Sequence, residues 1–290
     1  MGPFRTYQPI RRAAFALGIA VALLAGLLTG CGGGEPKRDV HGLTEFHHAA
    51  REGDVETVRA MLDAGFPPST KDVDGVTALH RAARDGQLEI AELLLKRRAP
   101  VDATTNASWT PLHLAVRSRD AKMVELLLQY GADPDKQTPE GTTALHMAAA
   151  DGSEEIVRLL LNTWNVWEVK SRPVGDKGEV ELYTEVVGQR SADLEIADEN
   201  GDRALHHAAR AGSYGVVAQL VANGAEIDAP GAGGATALHL AIANRDAMMV
   251  NMLTANGADV NKPDGRGVRP LAMAQGAPEI MQRLWEKGAQ

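Results

Sequence analysis

The chain has 290 residues, a formal net charge of −8, 44% hydrophobic residues and 23% charged residues. That composition is globular rather than disordered, and its acidic balance argues against a nucleic-acid binder, which needs clustered Lys and Arg for phosphates. A single cysteine excludes a disulfide framework and a cysteine-based structural zinc site. With aromatics at only 4%, Ala, Leu and Val must fill any core.

The first thirty residues read as an address. Arg5, Arg11 and Arg12 precede an unbroken apolar and small run from Ala13 to Leu28, the layout of a secretory signal. The run ends in Leu28-Thr29-Gly30-Cys31, which resembles the bacterial lipobox. The resemblance implies cleavage before Cys31 and a lipid on that cysteine. An uncleaved membrane helix is the alternative, since the run is close to the roughly 18 residues a span needs. Cleavage would remove three Arg and no acid, taking the net charge from −8 to −11. Residues 31–41 begin with Gly32-Gly33-Gly34 and read as a flexible tether. By the sorting rule that goes with the resemblance, Gly32 in place of an Asp favours the outer membrane, with the body facing the periplasm.

From residue 42 onward a period organises the chain. Thr44-Glu45-Phe46-His47, Thr77-Ala78-Leu79-His80, Thr110-Pro111-Leu112-His113 and Thr143-Ala144-Leu145-His146 start 33 residues apart. Arg203-Ala204-Leu205-His206, Thr236-Ala237-Leu238-His239 and Arg269-Pro270-Leu271-Ala272 repeat that spacing after one 60-residue step. A fixed period of this size means a repeat architecture. The T-P/A-L-H-x-A-A pattern at period 33 resembles the ankyrin repeat, over nearly all of residues 42–290. It implies an all-α solenoid of about seven helix-turn-helix units.

The second unit shows the physics. Thr77 offers its hydroxyl to free N–H groups at the start of a first helix. Ala82 and Ala83 allow close helix approach, and Gly86 ends that helix in a left-handed turn. Ile90, Leu93, Leu94 and Leu95 form the apolar stripe of a second helix, and Asp74-Gly75 supplies a turn. No unit buries its stripe alone, so stability must come from stacking. Departures stand out. Arg119 and Arg245 occupy the position of Gly86, Gly152 and Gly212, at about 1 kcal/mol each if that position is left-handed. Arg203 and Arg269 replace the capping Thr and put those caps in doubt. Glu45-Phe46 and Ala272 mark the terminal units as caps.

The long step places an insert of about 27 residues, roughly 163–189, in the fourth unit. Val166-Trp167-Glu168-Val169-Lys170 and Glu179-Val180-Glu181-Leu182-Tyr183 flank the turn signal Gly175-Asp176-Lys177-Gly178, so a β-hairpin-like arm is expected. Its Trp164, Trp167 and Tyr183 form either a partner-binding surface or a local core over neighbouring repeats.

The motif histidines are structural in ankyrin proteins, where they hold loop backbone. His47-His48 and His206-His207 are adjacent on a helix and do not share a face, so they make no metal pair. No hydrolase, zinc-protease or phosphate-loop motif occurs, so no enzyme and no cofactor is expected. Seven residues after each repeat start lie Arg51, Arg84, Arg117, Ala150, Arg210 and Ala243. The resemblance puts this column on the concave face. Four Arg there suit an acidic partner surface, unless they merely pair with neighbouring acids such as Glu52 and Asp85. Trp109 stands at a hairpin position that ankyrin proteins commonly use for contacts. The expectation is a non-catalytic protein-binding module, lipid-anchored through Cys31, with a periplasmic protein partner. An immunity protein against a periplasm-targeted toxin and a metal-dependent enzyme are the competing readings.

Overall fold

The computed structural model describes residues 44–162, 164–174 and 179–290. The expected signal, lipidated Cys31 and tether lie outside the described residues. Among the described residues no helix is long and apolar enough to cross a membrane.

Seven helix pairs follow one another: α1 (Glu45–Glu52) and α2 (Val55–Asp63), α3 (Ala78–Asp85) and α4 (Leu88–Lys96), α5 (Pro111–Arg117) and α6 (Ala121–Gln129), α7 (Ala144–Ala150) and α8 (Glu154–Leu161), α9 (Ala204–Ala211) and α10 (Tyr214–Ala222), α11 (Ala237–Ala243) and α12 (Ala247–Ala255), α13 (Pro270–Met273) and α14 (Pro278–Glu286). The odd-numbered helices pack on one another in an inner row, and the even-numbered ones form an outer row. The architecture is the expected helical solenoid.

The rows follow from the sequence. Ala82, Ala83, Ala115, Ala148, Ala149, Ala208, Ala209 and Ala241 are all buried, and their small side chains let inner helices approach closely. Ile90, Leu94, Leu127, Leu160, Leu220 and Leu253 seal the outer row against it, each side chain contributing roughly 1.5–3 kcal/mol through burial. Hairpin loops link the units at one edge. The Asn106 N–H donates to the Asp74 carbonyl at 2.8 Å, and the Gly265 N–H to the Gly233 carbonyl at 2.8 Å.

Each motif histidine closes a box. In the second unit His80 Nδ1 accepts from the Thr77 backbone N–H at 3.1 Å and from its hydroxyl at 2.8 Å. The proton therefore sits on Nε2, which donates to the Trp109 carbonyl at 3.0 Å, across to the next unit. His47, His146, His206 and His239 make the same link to the carbonyls of Thr70, Asp202, Ala229 and Val268. Burial pushes all six histidines below the ordinary value, His80 to about 4. The boxes are held as neutral imidazoles between units.

Arg203 keeps half of its box. Its backbone N–H donates to His206 Nδ1 at 3.1 Å, but its side chain caps nothing. The guanidinium instead joins Glu195 and Glu226, both at 2.8 Å, tying two neighbouring loops. Arg269 likewise supplies no side-chain cap to α13. Arg119 and Arg245 both have φ of 55°, so the left-handed conformation is kept without glycine.

The insert is an antiparallel hairpin, β1 (Trp164–Val174) with β2 (Glu179–Arg190), paired from Trp164 opposite Arg190 to Val174 opposite Glu179 with one register shift between Val166 and Trp167. The strands run farther than the sequence signal suggested. The pairing interrupts nothing: the Glu199 N–H still donates to the Glu140 carbonyl at 3.0 Å, so the fourth and fifth units stack directly.

Candidate concave binding site

The floor of the inner face is built from two positions of each inner helix, four and seven residues after the repeat start. They lie three apart and so share a helix face. The first row runs His48, Arg81, Leu114, Met147, His207, Leu240 and Met273. The second is the expected column, Arg84, Arg117, Ala150, Arg210 and Ala243, with Arg51 at its start.

What decides the first row is a buried aspartate in the preceding hairpin. Asp72 accepts the backbone N–H groups of Asp74 and Val76 on one oxygen, at 2.9 and 2.8 Å. Its other oxygen takes Arg81 at 2.7 Å. Asp198 repeats this: one oxygen takes the N–H groups of Asn200 and Asp202, both at 2.9 Å, and the other takes His207 Nε2 at 3.0 Å. In the third and fourth units the hairpin position is Thr105 or Thr138, and the helix position becomes Leu114 or Met147. A buried carboxylate needs hydrogen-bond donors, and an uncharged hairpin frees the floor position for an aliphatic side chain. The last unit keeps Asp264 but neutralises it from Arg266 at 2.9 Å, and its floor position is Met273.

The arginine column is less uniform than its sequence suggests. Arg84 is clamped on Asp85 through two hydrogen bonds of 2.9 Å. Arg51 stands 3.7 Å from Glu52. Arg210 donates to buried Asp202 at 2.6 Å, where its charge offsets a carboxylate that also holds the Ala232 N–H. Arg84 and Arg210 are committed within the chain, while Arg51 is only loosely paired in solvent. Arg117 is exposed and has no carboxylate partner among the described residues; its guanidinium carbon lies 4.6 Å from the Trp109 ring centroid.

Trp109 is half-buried, packed on the core and edge-on to His113. With Arg117, Arg84, Arg81, Asp74 and Leu114 it lines a cleft of about 360 Å³ between the second and third units. The sequence pointed to each of Trp109, Arg84 and Arg117 separately, and the fold brings them to one cleft. The insert is elsewhere. Strand β1 packs against α6 of the outer row, and Arg190 reaches Asp133 at 3.1 Å. Trp164 is half-buried, its indole N–H donating to the Leu159 carbonyl at 2.7 Å, so it acts as the local core of the hairpin base. The side chains of Trp167 and Tyr183 lie outside the described residues.

One grouping went unnoticed in the sequence. Asp198, Asp202 and His207 bring three possible metal ligands within 4.8 Å. Burial opposes ionisation of Asp198, but backbone N–H groups and His207 hold its carboxyl below the usual range. In Asp202 the Ala232 N–H and Arg210 do the same against burial. The facing oxygens already accept His207 and Arg210, so the grouping works as an internal hydrogen-bond network, with one Arg–Asp ion pair, that ties a hairpin to its helix.

The family model described as ankyrin repeats (three copies) matches residues 12–105, 46–138, 98–170 and 174–264. The chain belongs to the ankyrin-repeat family. Among solved structures, the ankyrin repeat domain of Bcl-3, a member of the IkappaB family, is 25% identical with a TM-score of 0.67, over 83% of this chain and 99% of that one. The human ASB11 ankyrin repeat domain is 23% identical with a TM-score of 0.64, over 86% and 99%. An ankyrin repeat domain from Acinetobacter baumannii is 26% identical with a TM-score of 0.61, over 73% and 98%. No curated protein matches the sequence. Ankyrin repeats are protein-interaction modules, and this architecture is consistent with non-catalytic binding.

Proposed function

We propose that the protein is a lipid-anchored docking module of the bacterial envelope that binds a periplasmic protein on its inner face. The observation that carries the binding site is Arg117. It is the member of the arginine column without an acid among the described residues, and its guanidinium carbon lies 4.6 Å from the Trp109 ring centroid in the lining of an open cleft. A surface built on stacked helices is already ordered, so little entropy is lost when a partner docks. Anchoring rests on Leu28-Thr29-Gly30-Cys31 and the basic, apolar segment before it. Lipid on Cys31 would hold the repeats near the membrane, with residues 31–41 as tether.

The test is Arg84→Glu with Arg117→Glu in the full chain. The expected result is loss of the partner that co-purifies with the unaltered protein, with an unchanged circular dichroism spectrum. Retained partner binding by a folded double variant would remove the cleft from the site.

A further inference from the structure

The inner floor changes character between the third and fourth units. Arg117 presents a guanidinium with no carboxylate among the described residues, and half-buried Met147 and exposed Ala150 present an apolar patch one unit farther along. Leu114, one helical turn before Arg117, is buried and lines the same cleft. Polar side chains elsewhere on this floor are engaged internally: Arg81 by Asp72, His207 by Asp198, Arg84 by Asp85 and Arg210 by Asp202. The open charge and the open apolar patch are therefore neighbours and do not recur together along the row.

Resting on the reading of the inner face as a protein-binding surface, we infer that its occupant is an extended polypeptide segment carrying a carboxylate and, three residues away, an aliphatic side chain. The carboxylate pairs with Arg117, whose guanidinium carbon lies over the Trp109 ring and which has no carboxylate among the described residues; a guanidinium can grip a carboxylate by two hydrogen bonds. The aliphatic side chain sits on Met147 and Ala150. Methionine suits such a seat because its flexible thioether adapts to different shapes. The spacing follows from geometry. Packed helices stand about 8–10 Å apart, and three residues of extended chain cover about 10 Å.

The experiment selects a phage-displayed library of short random peptides on the full chain, then measures the recovered peptides by fluorescence anisotropy. The expected result is a shared Asp or Glu three positions from Leu, Ile, Val or Met. Arg117→Glu and Met147→Glu should each weaken binding about tenfold or more, while Glu125→Lys on the outer row changes nothing. A variant that loses its fold is replaced by Arg117→Gln or Met147→Ser. Peptides without an acid that respond to Met147→Glu but not to Arg117→Glu overturn the inference and leave the inner face as a binding surface. Peptides indifferent to both variants overturn the inference and the inner-face reading together. Recovery of no binding peptide overturns the inference. Self-association of the full chain that Met147→Glu abolishes also overturns it, in favour of a second copy as occupant.

Discussion

Arg117 lies over Trp109, its guanidinium carbon 4.6 Å from the ring centroid, while Arg84 at the equivalent place one unit earlier is held by two hydrogen bonds to Asp85. The two residues share a repeat position and differ in the neighbour on their C-terminal side. Asp85 comes after Arg84, and Ser118 after Arg117. Ser118 turns away and donates its hydroxyl to the Arg84 carbonyl at 2.8 Å. One substitution thus ties two inner helices together and leaves a guanidinium open.

An exposed cation stacked on an aromatic ring contributes about 0.5–1 kcal/mol. Arg117→Ala should therefore lower stability by no more than that, read from urea unfolding, while partner affinity falls several-fold. A loss of several kcal/mol would mean that Arg117 holds the fold rather than the partner.

The buried histidines make stability depend on pH. His80 is neutral in the folded chain, with its pKa lowered by burial to about 4. In the unfolded chain it titrates near 6.5. Its contribution is complete above pH 6.5 and is lost as pH falls toward 4, because the unfolded state binds the proton first. The full effect for His80 is on the order of 3 kcal/mol. The other five motif histidines shift in the same direction. Burial raises the carboxyls of Asp102 and Asp135, which act the opposite way nearer their own range. Urea midpoints should drop steadily from pH 7 to pH 5. A flat profile over that window would contradict neutral, desolvated histidine boxes.

Arg245 adopts φ of 55° at the turn where Gly86 and Gly212 stand at 72° and 68°. Arg245→Gly should raise stability by about 1 kcal/mol, seen as a higher melting temperature. Arg119→Gly should gain less, because Arg119 also donates to Asp151 at 3.0 Å. Lower melting temperatures in both variants would show that the turn carries no strain.

Leu94 is fully buried between rows in the second unit. Leu94→Ala should cost about 2–5 kcal/mol through lost burial and the cavity left behind. Chemical unfolding checks it, and a cost under about 1 kcal/mol would mean that the units are loosely stacked.

Anchoring has its own test in the cell. Cys31→Ser should abolish incorporation of labelled palmitate and release the protein from the membrane fraction. Retention of the variant in membranes would point to an uncleaved helix instead of a lipid.

The repeats were legible because their signal is redundant. A histidine box, an alanine pair and a leucine stripe recur at one spacing, and each follows from a different physical need. The hairpin insert was legible from its two alternating runs, though its place on the outer row depends on where α8 ends in space. The arginine column was misleading because a charge's partner is fixed by three-dimensional approach. Arg210 finds Asp202 eight residues back, just before the other end of the same helix, and local sequence gives no hint of it. A usable signal was present: in the second and fifth units an aspartate five residues before the repeat start accompanies a hydrogen-bond donor four residues after it, Asp72 with Arg81 and Asp198 with His207, whereas Asp264 of the last unit is met by Arg266. Where that aspartate is replaced by Thr105 or Thr138, the floor is Leu114 or Met147. Reading the two positions together would have separated structural cations from open ones.

The central claim is that a protein docks on the inner row. It is tested most directly by placing a photo-crosslinking residue at Met147 or Ala150, and separately at exposed outer-row positions Glu125 and Arg158, in cells that make the full chain. The account predicts a discrete protein adduct from the two inner positions and none from the outer ones. Equal adducts from both rows, or adducts from the outer row alone, would contradict it.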